Sequence, residues 1–342
     1  MTYDLICVGA GPTGLACAIE AKRAGMRPLV LDKGCLCNSI LHYPANMLFF
    51  TTAEKMEIGD IPMAIAGDKP TRTETLKYYR KTAEHFGLEV RQFESVEDLH
   101  RADGAFRVRT RHASGAPDEH RGTRVVIATG YYDIPKRLKV PGEELPHVSH
   151  YYTEPHSYWQ RNVVVIGAGN SAAEAALDLY RAGARVTLVH RGAQVKRTIK
   201  YWVLPDIENR ISGGEIQAHF NSVVSQIEPG HVTIRPAESD QAEQRAPWKT
   251  SAEVQEQAKA SRVLPADAVF ALTGYRPDFA FLTRQGIELD PQTQKPSVNP
   301  DTLETNVPGL HVAGVIVGGQ HTGEIFIENG RFHGKQIVAS FR

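Results

Sequence analysis

Short apolar runs along the chain predict the same succession of elements twice. Residues 5–8 and 162–166 are typical of buried strands, and a glycine-rich turn follows each of them. An alanine-rich stretch with helical character comes next, to about residue 25 in the first copy and residue 182 in the second. Second apolar strands are predicted at 28–31 and 185–189. Each copy therefore predicts a βαβ unit with its glycine turn between strand and helix, the context in which such turns bind dinucleotides.

Further elements are predicted between and beyond these two units. Residues 73–86 predict a helix, and residues 106–110 alternate between polar and apolar positions as a half-buried strand does. Residues 124–130 predict a buried strand that ends in a tight turn at Gly130. Late strands are predicted at 268–272 and 310–314, and a helix closes the chain over 324–341.

The order of these elements predicts an α/β fold with two Rossmann-like, three-layer nucleotide-binding domains. The second glycine turn lies inside the first domain, so we expect one domain over residues 135–275 and a discontinuous one over 1–134 plus 276–342. Residues 236–261 are polar and rich in Gln, Glu and Ala, which predicts a surface excursion without chemistry.

Composition and charge exclude several classes of partner. Lys and Arg together number 39, as do Asp and Glu. Because the charges balance, the chain has no net positive potential that would attract nucleic acid or an anionic membrane. No segment approaches the ~18 consecutive apolar residues of a membrane span, and residues 1–20 are not patterned as a signal peptide. The four cysteines are few for a disulfide scaffold, and we expect a cytoplasmic protein.

The first glycine turn has the spacing that a pyrophosphate requires. Gly9 permits a sharp turn, Gly11 allows a phosphate to approach the backbone, and Gly14 allows helix and strand to pack closely. The N-terminus of the helix after the turn offers N–H groups and a partial positive charge. Asp32 stands 18 residues beyond Gly14, at the end of the next strand, where an acid can bind ribose hydroxyls. We expect a bound cofactor here, the alternative being a purely structural turn.

The second turn differs in a way that indicates its cofactor. Ala172 stands in place of the third glycine, and no acid ends the following strand. The residues found there instead are His190, Arg191, Lys196 and Arg197. An acid would repel a 2′-phosphate, whereas cations bind it through charge-assisted hydrogen bonds worth roughly 1.5–3 kcal/mol each. We therefore expect NADPH rather than NADH, the alternative being a solvated basic loop.

With both turns in place, the chain resembles the thioredoxin-reductase-like flavoproteins over nearly its whole length. Residues 9–14 are similar to that family's FAD turn, residues 128–130 to its second flavin motif, and residues 310–314 to the segment that returns under the flavin. Residues 190–196 are similar to its 2′-phosphate site, and residues 274–277 to the motif that closes its NADPH domain.

Finer matches are similar to the bacillithiol disulfide reductase branch. They lie at residues 39–44, 49–50, 58–62, 128–132 and 325–334. The resemblance implies a cytosolic, NADPH-dependent FAD enzyme that reduces the disulfide of a low-molecular-weight thiol, such as bacillithiol disulfide.

The resemblance also implies which residues hold the two cofactors. Those implied for FAD are Gly9, Gly11, Pro12, Thr13, Gly14, Asp32, Lys33, Ser39, Ala128, Thr129, Gly130, Gly314 and Ile325. Those implied for NADPH are Gly167, Gly169, Asn170, Ser171, Ala172, His190, Arg191, Lys196 and Arg197. In relatives, the N-terminus of the helix that begins near residues 323–325 faces the negative charge of the reduced flavin. We expect a homo-oligomer (dimer or tetramer) and no metal site, because no His, Cys or Asp set has ligand spacing.

Two departures from the family patterns bear on the electron acceptor. Thioredoxin reductases carry a Cys-x-x-Cys pair where residues 147–153 of this chain have no cysteine, which argues for a small-molecule disulfide rather than thioredoxin. Thr13 stands where the bacillithiol branch has a cysteine, and a threonine cannot form a mixed disulfide. Cys35 and Cys37 are close to the expected FAD adenosine and would form a strained disulfide, so we expect incidental thiols.

Thr13 and His321 are the candidate catalytic residues. The Thr13 hydroxyl can donate a hydrogen bond to phosphate or flavin, and His321 can protonate a leaving thiolate. The competing interpretation of His321 is a helix-capping or surface histidine.

Three other functions compete with disulfide reduction. A ferredoxin- or flavodoxin-NADP reductase of the same fold also needs no cysteine pair. A flavin monooxygenase is disfavoured, because no Phe-x-Gly-x-x-x-His sequence lies between the two glycine turns. A non-catalytic redox sensor that signals through Cys35 and Cys37 has no need of a complete NADPH domain.

Overall fold

The computed structural model describes residues 2–238 and 261–341, and most of the polar segment 236–261 lies outside these ranges. The described chain divides into two compact units. A discontinuous unit comprises Met1–Leu41, Met47–Ile134 and Tyr275–Arg342, and an inserted unit comprises His42–Asn46 and Pro135–Gly274.

The described helices and strands are numbered in chain order. The helices are α1 Pro12–Arg23, α2 Asn38–Leu41, α3 Arg72–His85, α4 Asn170–Arg181, α5 Leu204–Ser212, α6 Phe279–Arg284, α7 Ile327–Gly330 and α8 His333–Ala339. The strands are β1 Thr2–Val8, β2 Pro28–Leu31, β3 Glu89–Arg91, β4 Glu94–Ala102, β5 Ala105–His112, β6 Pro117–Ile127, β7 Ile134–Pro135, β8 Val148–Ser149, β9 Asn162–Ile166, β10 Arg185–Val189, β11 Gln217–His219, β12 Ser222–Glu228, β13 Gly230–Pro236, β14 Arg262–Ala266, β15 Ala268–Ala271, β16 Tyr275–Arg276 and β17 Leu310–Val312.

The discontinuous unit is built on a seven-stranded sheet in the order β3-β2-β1-β6-β5-β4, with β17 also paired to β6. The pairs among β3, β2, β1, β6 and β17 are parallel, whereas β4, β5 and β6 form an antiparallel meander. Apolar side chains of β1 alternate between two cores: Ile6 and Val8 pack on one side and Leu5 and Cys7 on the other. Both faces of the parallel part are therefore covered, which explains its uninterrupted apolar runs.

The inserted unit repeats this design with a five-stranded parallel sheet in the order β11-β10-β9-β15-β8. Along β9, Val163 and Val165 pack under the alanine-rich face of α4, and Val164 and Ile166 pack against a three-stranded antiparallel sheet of β12, β13 and β14. The predicted three-layer α/β fold class is confirmed.

The long closing helix predicted over 324–341 is wrong. Two short helices, α7 and α8, replace it and are separated at Arg331 and Phe332. The Arg331 guanidinium donates to the carbonyl oxygens of Glu54 (2.8 Å) and Glu57 (2.7 Å). Gly334 brings α8 so close to α1 that a Cβ there would lie 2.7 Å from the Ala16 oxygen. These tertiary contacts fix a bend that helical periodicity alone does not show.

Within the described ranges, none of the helices has both the length and the apolar character needed to cross a membrane.

Candidate functional site

The first glycine turn connects β1 to α1, and two of its glycines are required by the protein itself. Gly9 has φ +112°, and a Cβ there would lie 2.4 Å from the Ala128 oxygen. A Cβ on Gly14 would lie 1.9 Å from the Gly9 oxygen. The turn is fixed further by the Gly9 N–H, which donates to Leu31 O at 2.7 Å. Backbone packing therefore excludes any side chain at positions 9 and 14.

Gly11 has no such reason to be glycine. Its φ of −75° and ψ of 175° suit any residue, and no atom of the described chain lies within 4 Å of the position of its Cβ. Gly11 is the N-cap of α1, where no side chain caps the helix, and Pro12 follows at the first helical position. By contrast, Thr71 and Glu74 form a complete capping box at α3. The turn thus presents an uncapped helix N-terminus behind an open surface, which fits a phosphate group.

Asp32 directly follows β2, one residue beyond the end of the strand, and both of its carboxylate oxygens hold the turn. Oδ2 accepts from the Ala10 N–H at 2.7 Å, and Oδ1 accepts from the Gly34 N–H at 2.8 Å. Burial raises the pKa of this carboxyl, and nearby Asp133 adds to the rise, while the two N–H donors oppose it. Lys33, implied for FAD, has its ammonium 2.9 Å from Asp133.

The other segments implied for FAD lie against this turn. The Ala128 N–H donates to Val8 O at 2.8 Å, and Gly130 leaves the strand with φ +72°. Thr129 is half-buried, as is Ser39 on α2. The structure therefore brings 128–130 directly beside Gly9.

Thr13 lies between two glycines from the late part of the chain. A Cβ on Gly314 or on Gly330 would lie 3.1 Å from the Thr13 Oγ1. The Gly314 N–H donates to Nδ1 of His333 at 3.0 Å, and burial lowers the pKa of this imidazole. The sequence did not predict this contact between His333 and Gly314. His333 is the first residue of α8, which follows the break after α7.

Ile325 does not open a long helix. It precedes α7, which begins at Ile327 and has only four residues, so the strong helix dipole expected near 323–325 is not available.

The second glycine turn connects β9 to α4 and repeats the first in detail. Gly167 has φ +131°, a Cβ there would lie 2.4 Å from the Leu272 oxygen, and its N–H donates to Val189 O at 3.0 Å. Gly169 has φ −91° and ψ −170°, no atom of the described chain lies within 4 Å of its Cβ position, and no side chain caps α4. Ala172, in place of the third glycine, is fully buried. This turn also fits a phosphate at its second glycine.

The loop after β10 folds back over this turn. The Lys196 N–H donates to Ala168 O at 2.9 Å, and Asn170 Oδ1 accepts from the Lys200 N–H at 2.8 Å. Asn170 therefore positions the loop, a role that its implied contact with NADPH did not indicate. Ser171, the other polar residue implied there, is exposed at the start of α4.

Three cations of this unit interact electrostatically. Burial lowers the pKa of Lys136, and the positive charges of Lys196 and Arg191 lower it further. The backbone of Lys196 is held at the turn by its bond to Ala168 O. Lys136 is not among the residues that the resemblance implies for NADPH. Its backbone N–H donates to Gly274 O at 2.9 Å.

The other two basic residues implied for NADPH lie differently. The side chain of His190 is buried, with 6% of the residue exposed, so it is not part of an open cationic surface. Arg197 has a guanidinium nitrogen 3.5 Å from Glu208. The cationic group is therefore Lys136, Arg191 and Lys196, and we call it the basic group.

The cysteines do not form a reactive set. Burial raises the pKa of Cys17 to about 12 and raises those of Cys7 and Cys37 well above the usual range. Burial and the nearby Asp32 also raise the pKa of the half-buried Cys35 thiol. Because the thiolate is the reactive form, these environments disfavour a relay through Cys35 and Cys37. Cys7 and Cys17 are fully buried core residues.

His321 is exposed, and its carbonyl oxygen accepts from the Glu324 N–H at 3.1 Å. This agrees with a surface position, and its catalytic role stays a prediction.

One group of potential metal ligands was not foreseen. Glu94, His112 and Asp118 place one ligand atom each within 4.8 Å of one another. They come from three strands, so no local spacing in the sequence indicates them.

The chain is similar to known oxidoreductases over nearly its whole length. Residues 6–314 match the family described as pyridine nucleotide-disulphide oxidoreductase. The chain is 40% identical over 335 residues to bacilliredoxin reductase Bdr of Bacillus subtilis (strain 168), which covers 98% of this chain and 96% of that protein. The solved structure of bacillithiol disulfide reductase Bdr from Bacillus cereus matches with 40% identity and a TM-score of 0.90, over 99% of this chain and 98% of that one. The Staphylococcus aureus counterpart matches with 36% identity and a TM-score of 0.89, over 100% and 98%. The resemblance inferred from the sequence is confirmed.

Proposed function

This chain belongs to the pyridine nucleotide-disulphide oxidoreductase family and is an oxidoreductase, and from that premise we propose that it carries electrons from NADPH through FAD to the disulfide of a low-molecular-weight thiol. Similar proteins that cover nearly the whole chain are named for bacilliredoxin and for bacillithiol disulfide. We propose bacillithiol disulfide, or a disulfide of the same chemical class, as the substrate. The observation that supports a reductase with two nucleotides is the pair of open second glycines, Gly11 and Gly169, each at an uncapped helix N-terminus.

FAD is the proposed occupant of the first turn. Gly11 leaves room for a pyrophosphate, and Asp32 holds the turn through Ala10 while ending the strand at which ribose hydroxyls are bound in such folds. Segment 128–130 lies beside Gly9, and Gly314 lies beside Thr13. These contacts support an extended dinucleotide that follows the turn.

NADPH is the proposed occupant of the second turn. β10 ends without an acid, and the basic group offers three cations to a 2′-phosphate. The mutual repulsion of these cations is relieved when an anion binds between them. A cofactor without the 2′-phosphate cannot provide this gain, which is the physical basis of the proposed preference.

When bound, the two cofactors supply hydride transfer. In the overall reaction, NADPH, one proton and one disulfide are converted to NADP⁺ and two thiols. The chain's own part is to hold the nucleotides at two helix N-termini and to fix the late segment through His333 and Gly314. The proposal gives no cysteine a part in the reaction, because all four thiols have raised pKa values. We also propose a cytoplasmic location, where NADPH and free thiols occur, and the homo-oligomer stays a prediction.

The decisive experiment is anaerobic reduction of the FAD-loaded protein with NADPH, followed by reoxidation. The acceptors are bacillithiol disulfide, glutathione disulfide, oxidised bacilliredoxin and ferredoxin, with buffer as the baseline. We expect bacillithiol disulfide to reoxidise the flavin at least ten times faster than buffer. Reoxidation by no disulfide would refute the proposal, and reoxidation by ferredoxin alone would establish the ferredoxin reductase that the missing Cys-x-x-Cys pair also permits.

A cysteine variant separates the enzyme from a thiol sensor. Cys35→Ser and Cys37→Ser should each leave disulfide turnover within about twofold of the parent protein, because neither thiol ionises readily. Loss of turnover in either variant, with flavin content unchanged, would contradict this assignment.

A further inference from the structure

The antiparallel meander β4-β5-β6 carries a polar cluster that the proposed reaction does not use. Register places its members on one face: Glu94 pairs with His112, and Thr110 pairs with Asp118. His120 lies two residues beyond Asp118 and shares that face, because side chains alternate along a strand. Strand pairing thus assembles two imidazoles, two carboxylates and a hydroxyl at one end of the meander. We call these five residues the meander cluster.

The carboxylate of Glu94 is fully buried, and its two oxygens have different surroundings. Oε1 accepts from the Thr110 hydroxyl at 2.5 Å and lies 2.5 Å from His120 Nε2. Oε2 is also buried, but no atom within residues 2–238 and 261–341 makes a hydrogen bond to it. A buried carboxylate oxygen without a partner is costly, so this oxygen indicates a missing cationic or donor group.

Possible ligand atoms lie near that oxygen. His112 Nδ1 lies 3.9 Å from Glu94 Oε2, and the other ring nitrogen, Nε2, lies 3.7 Å from Asp118 Oδ2. Only one ring nitrogen can bind a given ion, and with one atom taken from each residue the three ligand atoms lie within 4.8 Å of one another. Two ligands of one tetrahedral zinc ion are about 3.4 Å apart, so the side chains must move inward by up to about 1.4 Å to reach ligand distance. His112 is half-exposed and Asp118 is exposed, with side-chain exposures of 35% and 41%, so solvent can reach the site and complete the coordination.

We propose that Glu94, His112 and Asp118 bind a divalent transition-metal ion of the zinc type. Imidazole and carboxylate together suit Zn²⁺ and its neighbours, whereas Mg²⁺ and Ca²⁺ prefer a set made only of oxygens. Thr110 and His120 hold the inner oxygen of Glu94 and so orient its outer oxygen toward the ion. A bound ion links the three strands β4, β5 and β6 at this end of the meander. It therefore stabilises the folded chain and takes no part in electron transfer.

The test is equilibrium binding of Zn²⁺ to the chelator-treated, tag-free full chain, measured by competition with a chromophoric chelator. We expect about one Zn²⁺ per chain and a rise in melting temperature of about 5 °C at a hundredfold excess over Kd. Co²⁺ in place of Zn²⁺ should give visible absorption bands. His112→Gln and Asp118→Asn should each weaken Zn²⁺ binding roughly 100-fold and remove the melting shift.

Two matched controls isolate the cluster. His100 lies on β4 with its Nδ1 3.7 Å from Asp98 and so resembles the His112–Asp118 pair without the buried glutamate. His100→Gln should leave Zn²⁺ affinity unchanged, as should Cys35→Ser, which removes the most accessible thiol. Retention of parental Zn²⁺ affinity by both His112→Gln and Asp118→Asn, or loss of binding in either control, would overturn the proposal.

Discussion

Gly11 offers the sharpest test of the nucleotide sites, because the protein itself gives no reason for a glycine there. In Gly11→Ala the new methyl group meets no atom within 4 Å, and the φ of −75° is normal for alanine. Alanine is a poorer N-cap than glycine by about 1 kcal/mol. It also reduces the entropy of the unfolded chain, which returns about 0.4–1 kcal/mol. The FAD-free variant should therefore unfold within about 1 kcal/mol of the parent.

The same methyl group occupies the surface over which a pyrophosphate must approach. Each backbone N–H to phosphate bond that is lost removes roughly 1.5–3 kcal/mol, which weakens FAD binding about tenfold to 150-fold. The measurement is fluorescence titration of the deflavinated protein with FAD, alongside urea unfolding. An FAD affinity within twofold of the parent would refute the reasoning.

Two further glycine variants serve as opposite controls. Gly169→Ala should lose NADPH affinity by a similar factor and keep normal FAD content, because the same open geometry occurs in the second turn. Gly14→Ala should instead destabilise the fold by about 3 kcal/mol or more, since its Cβ would lie 1.9 Å from the Gly9 oxygen. Equal effects of the three variants would show that the turns do not work as described.

Three other changes test the surroundings of the two turns. Lys196→Ala should raise the KM for NADPH roughly tenfold or more in steady-state assays and leave the KM for NADH unchanged. Arg161 is an exposed cation of the same unit, and Arg161→Ala should change neither KM. Gly314→Ala should lower the free energy of unfolding by about 2–3 kcal/mol, as urea unfolding can measure. Adding Thr13→Ala should restore the part of this loss that comes from the contact with the Thr13 side chain, and the part due to backbone strain at φ +78° should remain. Burial lowers the pKa of His333, so the unfolded chain binds a proton at this side chain before the folded chain does as the pH falls. The contribution of neutral His333 to the free energy of unfolding is therefore complete above about pH 6.5 and declines below it. His333→Gln should reduce the difference between the urea unfolding midpoints at pH 7.5 and pH 5.5.

Both glycine turns could be predicted because their signals are local. Residues 5–8 of β1, 28–31 of β2 and 163–166 of β9 are covered on both faces, so they appear in the sequence as unbroken apolar runs. The glycines at positions 9 and 14 follow from close backbone packing within the same unit. Such features depend on few residues and are visible without knowledge of distant contacts.

Features that depend on distant pairing were missed. Residues 94–102 are mostly polar, with apolar side chains only at Val96, Leu99 and Ala102, so they lack the alternation of a strand and were not recognised as one. The relation of Glu94 to His112 was lost with them. Lys136 is far in sequence from Arg191 and Lys196, and its backbone is held by a bond to Gly274 O, on the far side of the inserted unit's sequence. The break between α7 and α8 arises where Arg331 reaches carbonyl oxygens of Glu54 and Glu57. Long-range contacts of this kind leave no periodic signal in the sequence.

The pairing of β17 with β6 also fixes an order of assembly during synthesis. Leu310 pairs with Val125, and nearly all of the inserted unit lies between them in the chain. Apart from residues 42–46, the inserted unit is contiguous and can fold as soon as residue 274 has emerged from the ribosome. The first glycine turn emerges first but is completed last, because Thr13 must wait for Gly314 and Gly330. A nascent chain therefore completes its second glycine turn before its first, and under the proposed assignment of FAD to the first turn the flavin is loaded at the end of translation.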